Sequence, residues 1–170
     1  MHAYENLFQK FRLNVAQILL TASDLDHERP SNHVMDTLHR LLEEKNIVPI
    51  INENDTVAVQ ELRVGDNDML SARVSRLLEA RLLVMLSTVD GLQDDDGGVM
   101  TEVRNIDAVA QHVRSDHGKF SIGGMASKLE AVKFALDAGV ETVIASGREP
   151  SALKEIISGG DGGTRFPLKV

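Results

Sequence analysis

The stretch SNHVMDTLHRLLEEKNIVPIIN, residues 31–52, carries two different hydrophobic patterns side by side. In its first part Val34, Leu38 and Leu41 recur at i, i+4 and i+7, which predicts an amphipathic helix over residues 31–46. The last six residues, IVPIIN, are almost wholly apolar, which is typical of a short strand in a parallel sheet covered on both faces. The stretch therefore predicts a helix that runs directly into a buried strand.

The same alternation continues on both sides of this stretch. Further helices are predicted over residues 4–11, 67–80, 106–114, 124–139 and 150–157, and further strands over residues 13–20, 81–88, 99–103, 140–146 and 164–166. Strands that alternate with helices indicate βαβ units with right-handed crossovers. We therefore expect an α/β fold, a three-layer α/β/α sandwich with a mainly parallel sheet, and at 170 residues a single domain over residues 1–170.

The amino-acid composition and the net charge exclude several classes of function. The formal net charge of −8 argues against binding to nucleic acid, because phosphate neutralisation needs a concentrated basic face. No apolar run approaches the roughly 18–20 residues that span a bilayer, and the first residues do not form an apolar leader, so we expect a cytoplasmic protein away from membranes. The absence of Cys excludes disulfides and thiolate metal sites, and the six His show no metal-binding spacing.

Polar residues follow the strand that ends near Ile51. Ligands of parallel α/β sheets bind beyond the carboxyl ends of the strands, so this loop is a candidate site, as are the loops after Leu86 and Ala145. Asn52 and Asp55 could simply make side-chain turns at a strand exit. Alternatively, the carboxylate could face an ammonium group and the amide could satisfy donors and acceptors of a small zwitterion, such as an amino acid.

A second polar cluster, GDND, occupies residues 65–68. Asp66 is placed as an N-cap of the following helix and Asp68 as a favourable charge in its first turn, so capping alone explains Asp66 and tolerates Asp68. Capping does not explain the presence of Asn67. The hairpin-like segment over residues 56–64 would return this cluster to the first one, and the pair together indicates a pocket.

The segment SIGGMASKLEAV, residues 121–132, predicts a Gly pair just before a helix, with Lys128 near the first helical turn. The simple interpretation is a turn followed by a solvated lysine. The functional interpretation is an anion site, because exposed N–H groups, the positive helix end and an ammonium group together suit a nucleotide phosphate. The spacing is not that of a Walker loop.

The segment LSTVDGLQDDDGG, residues 86–98, places the hydroxyls of Ser87 and Thr88 at a strand end. The run of three Asp that follows lacks the alternating ligand spacing of an EF-hand, so it is interpreted as a solvated loop.

The motifs VPIINENDTV, VGDNDMLSA, LSTVDGL and GGMASKLEAVKFALDAGVETVIASG, in this order, resemble the amino acid kinase family and in particular its glutamate kinases. The resemblance implies transfer of the γ-phosphoryl group of ATP, with Mg²⁺, to the side-chain carboxylate of L-glutamate. In this family that reaction is the first step of proline biosynthesis. The resemblance also makes proline a candidate inhibitor.

Matched position by position, Asp55, Asn67 and Asn52 resemble the family's glutamate-binding residues. Asp66 resembles the acidic residue that organises the catalytic lysines and the metal, with Asp68 as a second such residue, and Lys128 resembles the catalytic, phosphate-binding cation. No dedicated protein ligand for a metal is assigned. The resemblance assigns nucleotide binding to Ser87, Thr88, Ile122, Gly123, Gly124, Met125, Ala126, Ser127 and Lys128.

The chain also departs from the family pattern. It resembles the C-terminal two-thirds of the kinase domain, without the family's opening strands, its Gly-rich loop with a lysine and its serine loop, and without the RNA-modification-type C-terminal domain. Ser87 and Thr88 stand where the family has Thr-Asp, and Ile122 replaces a threonine. An alternative is therefore a catalytically incompetent module that binds an amino acid or a nucleotide, or serves assembly. Uncovered apolar surface predicts a homo-oligomer.

Overall fold

A computed structural model of the chain describes residues 1–54, 67–94, 96–115 and 122–168. The helices are α1 (His2–Gln9), α2 (Ala22–Asp26), α3 (Glu28–Glu43), α4 (Asn67–Leu77), α5 (Ile106–Ser115), α6 (Ile122–Asp137) and α7 (Pro150–Ile157). The strands are β1 (Asn14–Leu20), β2 (Ile47–Glu53), β3 (Leu82–Ser87), β4 (Glu141–Ser146) and β5 (Thr164–Phe166). The described residues divide into two compact units, Met1–Leu70 and Ser71–Val170.

The first unit is built on two parallel strands. β1 and β2 pair in a register that runs from Asn14 opposite Ile47 to Leu20 opposite Glu53. α3 joins them, and Leu38 on this helix is fully buried, as the amphipathic pattern predicts. A helix that connects two parallel strands is the βαβ unit expected from the sequence.

The second unit is a three-stranded sheet in the order β3-β4-β5. β3 and β4 are parallel, from Leu82 opposite Glu141 to Ser87 opposite Ser146, whereas β5 runs antiparallel to β4. The central strand β4 is the most buried, with Val143 at 2% exposure, because it has a hydrogen-bonded neighbour on each side. The α/β prediction, with mainly parallel pairing, is confirmed.

α6 packs into the core of the second unit through small and branched residues. Leu129, Ala131, Val132 and Ala135 on this helix are at most 2% exposed. The helix ends in a turn at Gly139, whose φ of +79° suits glycine, and the chain enters β4 directly afterwards. α6 thus leads directly into the most buried strand of the sheet.

Several predicted boundaries differ from the structure. α3 begins three residues before the predicted start, and the short helix α2 was not predicted. The predicted strand over residues 99–103 is absent from the described strands; Val99 and Glu102 make only isolated bridges, to Gln93 and Arg165. The predicted hairpin over residues 56–64 lies outside the described residues. Within the described ranges, every helix is too short or too polar to cross a bilayer.

Candidate functional site

The carboxyl ends of β3 and β4 form one edge of the second sheet. Ser87, the last residue of β3, is paired with Ser146, the last residue of β4. Just beyond them, the N–H of Gly147 donates a 2.8 Å hydrogen bond to the carbonyl oxygen of Ser87. The loops that follow the two strands therefore begin at the same edge of the sheet, the edge at which α/β sheets bind ligands.

A cavity of about 570 Å³ opens at this edge. Its lining consists of Leu86, Ser87, Thr88, Val89, Gly124, Met125 and Lys128. Five of these residues are among those assigned to nucleotide binding from the sequence, although they come from two segments separated by α5. The fold brings the end of β3 and the beginning of α6 together around one space.

The lining of this cavity has a polar part and an apolar part. The hydroxyls of Ser87 and Thr88 and the ammonium group of Lys128 can donate hydrogen bonds to anionic oxygens. Leu86 and Met125 supply apolar surface on which a flat ring can pack. A mostly apolar cleft with a few convergent polar groups is typical of small-ligand sites, and this combination suits a nucleotide.

The beginning of α6 differs from the sequence prediction. The helix starts at Ile122, so Gly123 and Gly124 lie inside its first turn instead of before it. Lys128 consequently lies in the second turn and is half-buried. The helix dipole acts mainly within the first turn, so its unfavourable interaction with the ammonium group of Lys128 is weak. The N–H groups of the first turn still lack partners four residues earlier within the helix.

The structure does not bring every residue of the 122–128 segment to the cavity. Ala126 instead lines a separate cavity of about 400 Å³ beside Asp107 and Lys133, and Ser127 lines neither. Helical periodicity explains the separation, because residues two apart point to different faces whereas Gly124 and Lys128 are four apart. For Ile122 and Gly123 the structure describes the helical backbone.

In the first unit, the carboxyl edge belongs to β1 and β2. Asn52 lies near the end of β2 and is exposed. The N–H of Asn54 donates a 2.8 Å hydrogen bond to the carbonyl oxygen of Leu20, so the parallel pairing continues one residue beyond the strand. Asn52 is therefore held on a fixed strand end, as a recognition residue requires.

The second polar cluster is described in part. Asn67 is the first residue of α4 and is exposed, and Asp68 is half-buried in the first turn. Asp55 and Asp66 lie outside the described residues, so their roles stay predictions, as does the meeting of the two clusters. The acidic first turn agrees with the predicted helix start.

The sequence analysis did not identify a hydrogen-bonded polar pair, Thr21 and Asp24, that follows β1. The carboxylate of Asp24 accepts hydrogen bonds of 2.7 Å from both the N–H and the hydroxyl of Thr21. This pair fixes the chain directly after Leu20, whose carbonyl receives the N–H of Asn54. The signal was present in the sequence, because Thr-x-x-Asp after an apolar run is the pattern of a helix start.

The sequence model of the Amino acid kinase family matches residues 1–146. A protein of Clostridium acetobutylicum named Glutamate 5-kinase is 40% identical over 98% of this chain and 64% of its own length. A Geobacter sulfurreducens protein of the same name is 43% identical over 98% of this chain and 46% of its own length. The chain thus spans less than two thirds of these relatives.

Two solved structures share the fold. Isopentenyl phosphate kinase superposes with a TM-score of 0.63 at 17% identity, covering 98% of this chain and 64% of its own. UMP kinase from Ureaplasma parvum gives a TM-score of 0.58 at 16% identity, covering 97% of this chain and 64% of its own. These likenesses agree with the α/β architecture, and the match of the family model across most of the chain identifies it as a member of the amino acid kinase family.

Proposed function

We propose that this chain carries the substrate-recognition and nucleotide-binding parts of a glutamate 5-kinase, which transfers the γ-phosphoryl group of ATP to the side-chain carboxylate of L-glutamate. The observation that carries the proposal is the cavity at the end of β3, where Ser87, Thr88 and Lys128 meet around one space. The relatives named Glutamate 5-kinase support the choice of glutamate as acceptor.

In the proposed reaction an oxygen of the glutamate side-chain carboxylate attacks the γ-phosphorus of ATP. The bond between that phosphorus and the bridging oxygen breaks, and ADP leaves with the electron pair. The attacking carboxylate is already ionised at neutral pH, so no general base is needed. Catalysis then depends on positioning the two substrates and on stabilising the charge of the migrating phosphoryl group.

Lys128 is the residue best suited to that charge. Lys128 lines the cavity together with Ser87 and Thr88, so its ammonium group can hold a phosphate oxygen as a positive charge. Mg²⁺ prefers oxygen ligands and usually binds kinase sites on the nucleotide phosphates, where it neutralises charge. The two hydroxyls are compatible with that ion as further oxygen donors.

Substrate recognition is assigned to the first unit. Asn52 and Asn67 supply amide donors and acceptors, and Asp55 supplies a carboxylate for the α-ammonium group of glutamate. The hydrogen bond from Asn54 to Leu20 supports this assignment, because it fixes the strand end from which Asp55 follows. Asp66 is proposed as the acidic residue that organises the catalytic cations.

Self-association is a further part of the proposal. α1 has no buried residue among its eight, and Leu7 at 55% and Phe11 at 75% exposure present apolar surface to solvent. Apolar surface of this kind favours contact between copies. Light scattering coupled to gel filtration would measure the oligomer, and a monomer at high protein concentration would contradict this part.

The function is tested by incubating the 170-residue chain with L-glutamate, MgATP and hydroxylamine, and by measuring both the glutamyl hydroxamate and ADP. We expect hydroxamate that depends on glutamate and is not formed with aspartate. A folded chain that binds glutamate and nucleotide without forming product would favour the alternative, a noncatalytic binding module. A folded chain that binds neither ligand would contradict both.

A further inference from the structure

We propose that Arg148 is a second cationic contact for the phosphates of the nucleotide, beside Lys128. This inference rests on the proposed function, because it assumes that the cavity at the end of β3 takes a nucleotide. It concerns the loop after β4, which the sequence predicted as a ligand-binding loop without assigning any residue in it.

The position of Arg148 follows from strand register. Ser87 and Ser146 are paired at the ends of β3 and β4, and Arg148 comes two residues after Ser146. Since Ser87 lines the cavity, the backbone at Arg148 leaves the sheet at the same edge. The side chain of arginine is long, so a guanidinium that starts here has the reach to contact a ligand in that space.

The backbone before Arg148 is held against β3. The N–H of Gly147 donates a 2.8 Å hydrogen bond to the carbonyl oxygen of Ser87. A Cβ at Gly147 would lie 3.5 Å from the Cβ of Leu86, which is ordinary van der Waals distance, so the turn lies beside the cavity wall. In addition, the N–H of Arg148 lies 3.4 Å from the hydroxyl oxygen of Ser146, which is buried. A fixed backbone reduces the entropy lost when the side chain binds a ligand.

The charge of Arg148 is available in the described structure. Its side chain is exposed, and it forms no ion pair with any described residue. Arg165, by contrast, is bound to Glu141, and Arg104 is bound to Glu102 at 2.5 Å. Of the described residues that line the cavity, Lys128 alone is a cation. A chain of net charge −8 repels phosphate at long range, so it needs local cations to bind a nucleotide.

The two cations offer different chemistry. Lys128 is a compact point charge, whereas the planar guanidinium of Arg148 can donate two parallel hydrogen bonds to phosphate oxygens. The loss of such charge-assisted hydrogen bonds is expected to weaken binding about 10-fold or more. A contact to phosphate also predicts selectivity: binding of ATP and ADP should depend on Arg148, and binding of adenosine should not.

The test is calorimetric titration of the wild-type chain and of Arg148→Ala with MgATP, MgADP and adenosine. Arg81→Ala is the matched control, because Arg81 is also exposed in the second unit and lies just before β3. A six-residue strand separates it from the cavity edge by roughly 20 Å, well beyond the screening length of about 8–10 Å in ordinary buffer. Arg81→Ala removes the same charge and should bind MgATP as the wild type does.

Supporting results are a loss of about 10-fold or more for MgATP and MgADP in Arg148→Ala, little change for adenosine, and partial recovery in Arg148→Lys. If the wild type binds MgATP and Arg148→Ala binds it equally well, the inference fails and the proposed function stands. If adenosine binding falls by the same factor, the contact is not to phosphate and the inference fails. If the wild type binds no nucleotide, the inference and the proposed function fail together.

Discussion

The hydroxyl oxygen of Thr164 accepts a 2.8 Å hydrogen bond from the backbone N–H of Leu92, and its hydroxyl donates to the carbonyl oxygen of Met100 at 2.7 Å. Thr164 is fully buried on β5. Gly91 lies against it so closely that a Cβ at that position would be 2.6 Å from the same oxygen. One side chain of β5 therefore holds the loop that follows the cavity residues of β3.

Replacing Thr164 by valine keeps the shape and removes the hydroxyl. The buried N–H of Leu92 and the carbonyl of Met100 then lose a partner, and each buried unsatisfied group costs about 1–3 kcal/mol. We expect Thr164→Val to lower the free energy of unfolding in urea by that order. Thr101→Val, at an exposed position of the same loop, is the control and should change it by less than about 0.5 kcal/mol. Equal effects of the two variants would contradict the role given to Thr164.

Gly163 makes a second close approach in the same region. It has a φ of +128°, and a Cβ there would overlap the carbonyl oxygen of Ile144 and lie 3.0 Å from the Cα of Ala145. Gly97 also has a positive φ, +83°, but a Cβ there would meet nothing within 4 Å. Alanine is strained at both positions, and only Gly163 adds a clash with the central strand.

We therefore expect Gly163→Ala to destabilise the chain by about 1–3 kcal/mol more than Gly97→Ala, the usual cost of overpacking. Thermal and urea unfolding of the two variants measure the difference. A Gly163→Ala variant as stable as Gly97→Ala would show that the backbone beside Ile144 can move without cost.

The fold was largely predictable because its main helices and strands differ clearly in length and pattern. α3 is long and amphipathic, α6 is equally long and is followed by a glycine turn, and β2 and β4 are short apolar runs, so each was found with the right type. The weak predictions were short elements. α2 has only five residues, and its start depends on the bond between Thr21 and Asp24, a local signal instead of a periodic one.

The candidate site was predictable by segment and less so by residue. The two segments that meet at the cavity were both found, because parallel strands and helix starts gather at one edge of a sheet. The residues of α6 that face the cavity were not predicted. The Gly pair was interpreted as a turn, so the helix was begun two residues too late. Ala126 does not line the cavity beside Lys128, and its assignment to nucleotide binding stays a prediction. Sequence spacing alone does not give the rotation of a helix about its axis.

Asn67 is the described residue that tests glutamate recognition best. It is exposed at the first position of α4, so its removal should not disturb packing. If its amide binds glutamate, Asn67→Ala should raise the KM for glutamate about 10- to 150-fold, the equivalent of one lost hydrogen bond to a charged group. The binding of MgATP, measured by titration, should stay near the wild-type value.

Asn46→Ala is the matched control for Asn67→Ala. Asn46 is exposed in the same unit, but it precedes β2 and so lies at the amino end of the strand whose carboxyl end carries the candidate residues. Its side chain should not affect glutamate. A KM that rises equally in both variants would point to a general disturbance of the first unit and would remove Asn67 from the proposed site.

Lys128→Ala tests the phosphate role of the lysine in the cavity. If its ammonium group stabilises charge that develops during phosphoryl transfer, kcat should fall about 10²–10³-fold. The KM for glutamate should change little, because an interaction made chiefly in the transition state lowers kcat without weakening the other substrate. The hydroxamate assay at varied glutamate concentration gives both constants.

Lys133→Ala provides the comparison on the same helix. The ammonium group of Lys133 lies 2.5 Å from the carboxylate of Asp107, and both side chains are about half exposed, so this surface ion pair contributes at most about 1 kcal/mol to stability. Lys133 lines the other cavity, beside Asp107, and its replacement removes the same charge from α6 as Lys128→Ala does. The kcat of Lys133→Ala should stay within about 3-fold of the wild-type value. If both variants lose kcat equally, general electrostatics of α6 explain the effect. If Lys128→Ala raises the KM for glutamate as much as it lowers kcat, Lys128 acts in substrate binding and not on the migrating phosphoryl group.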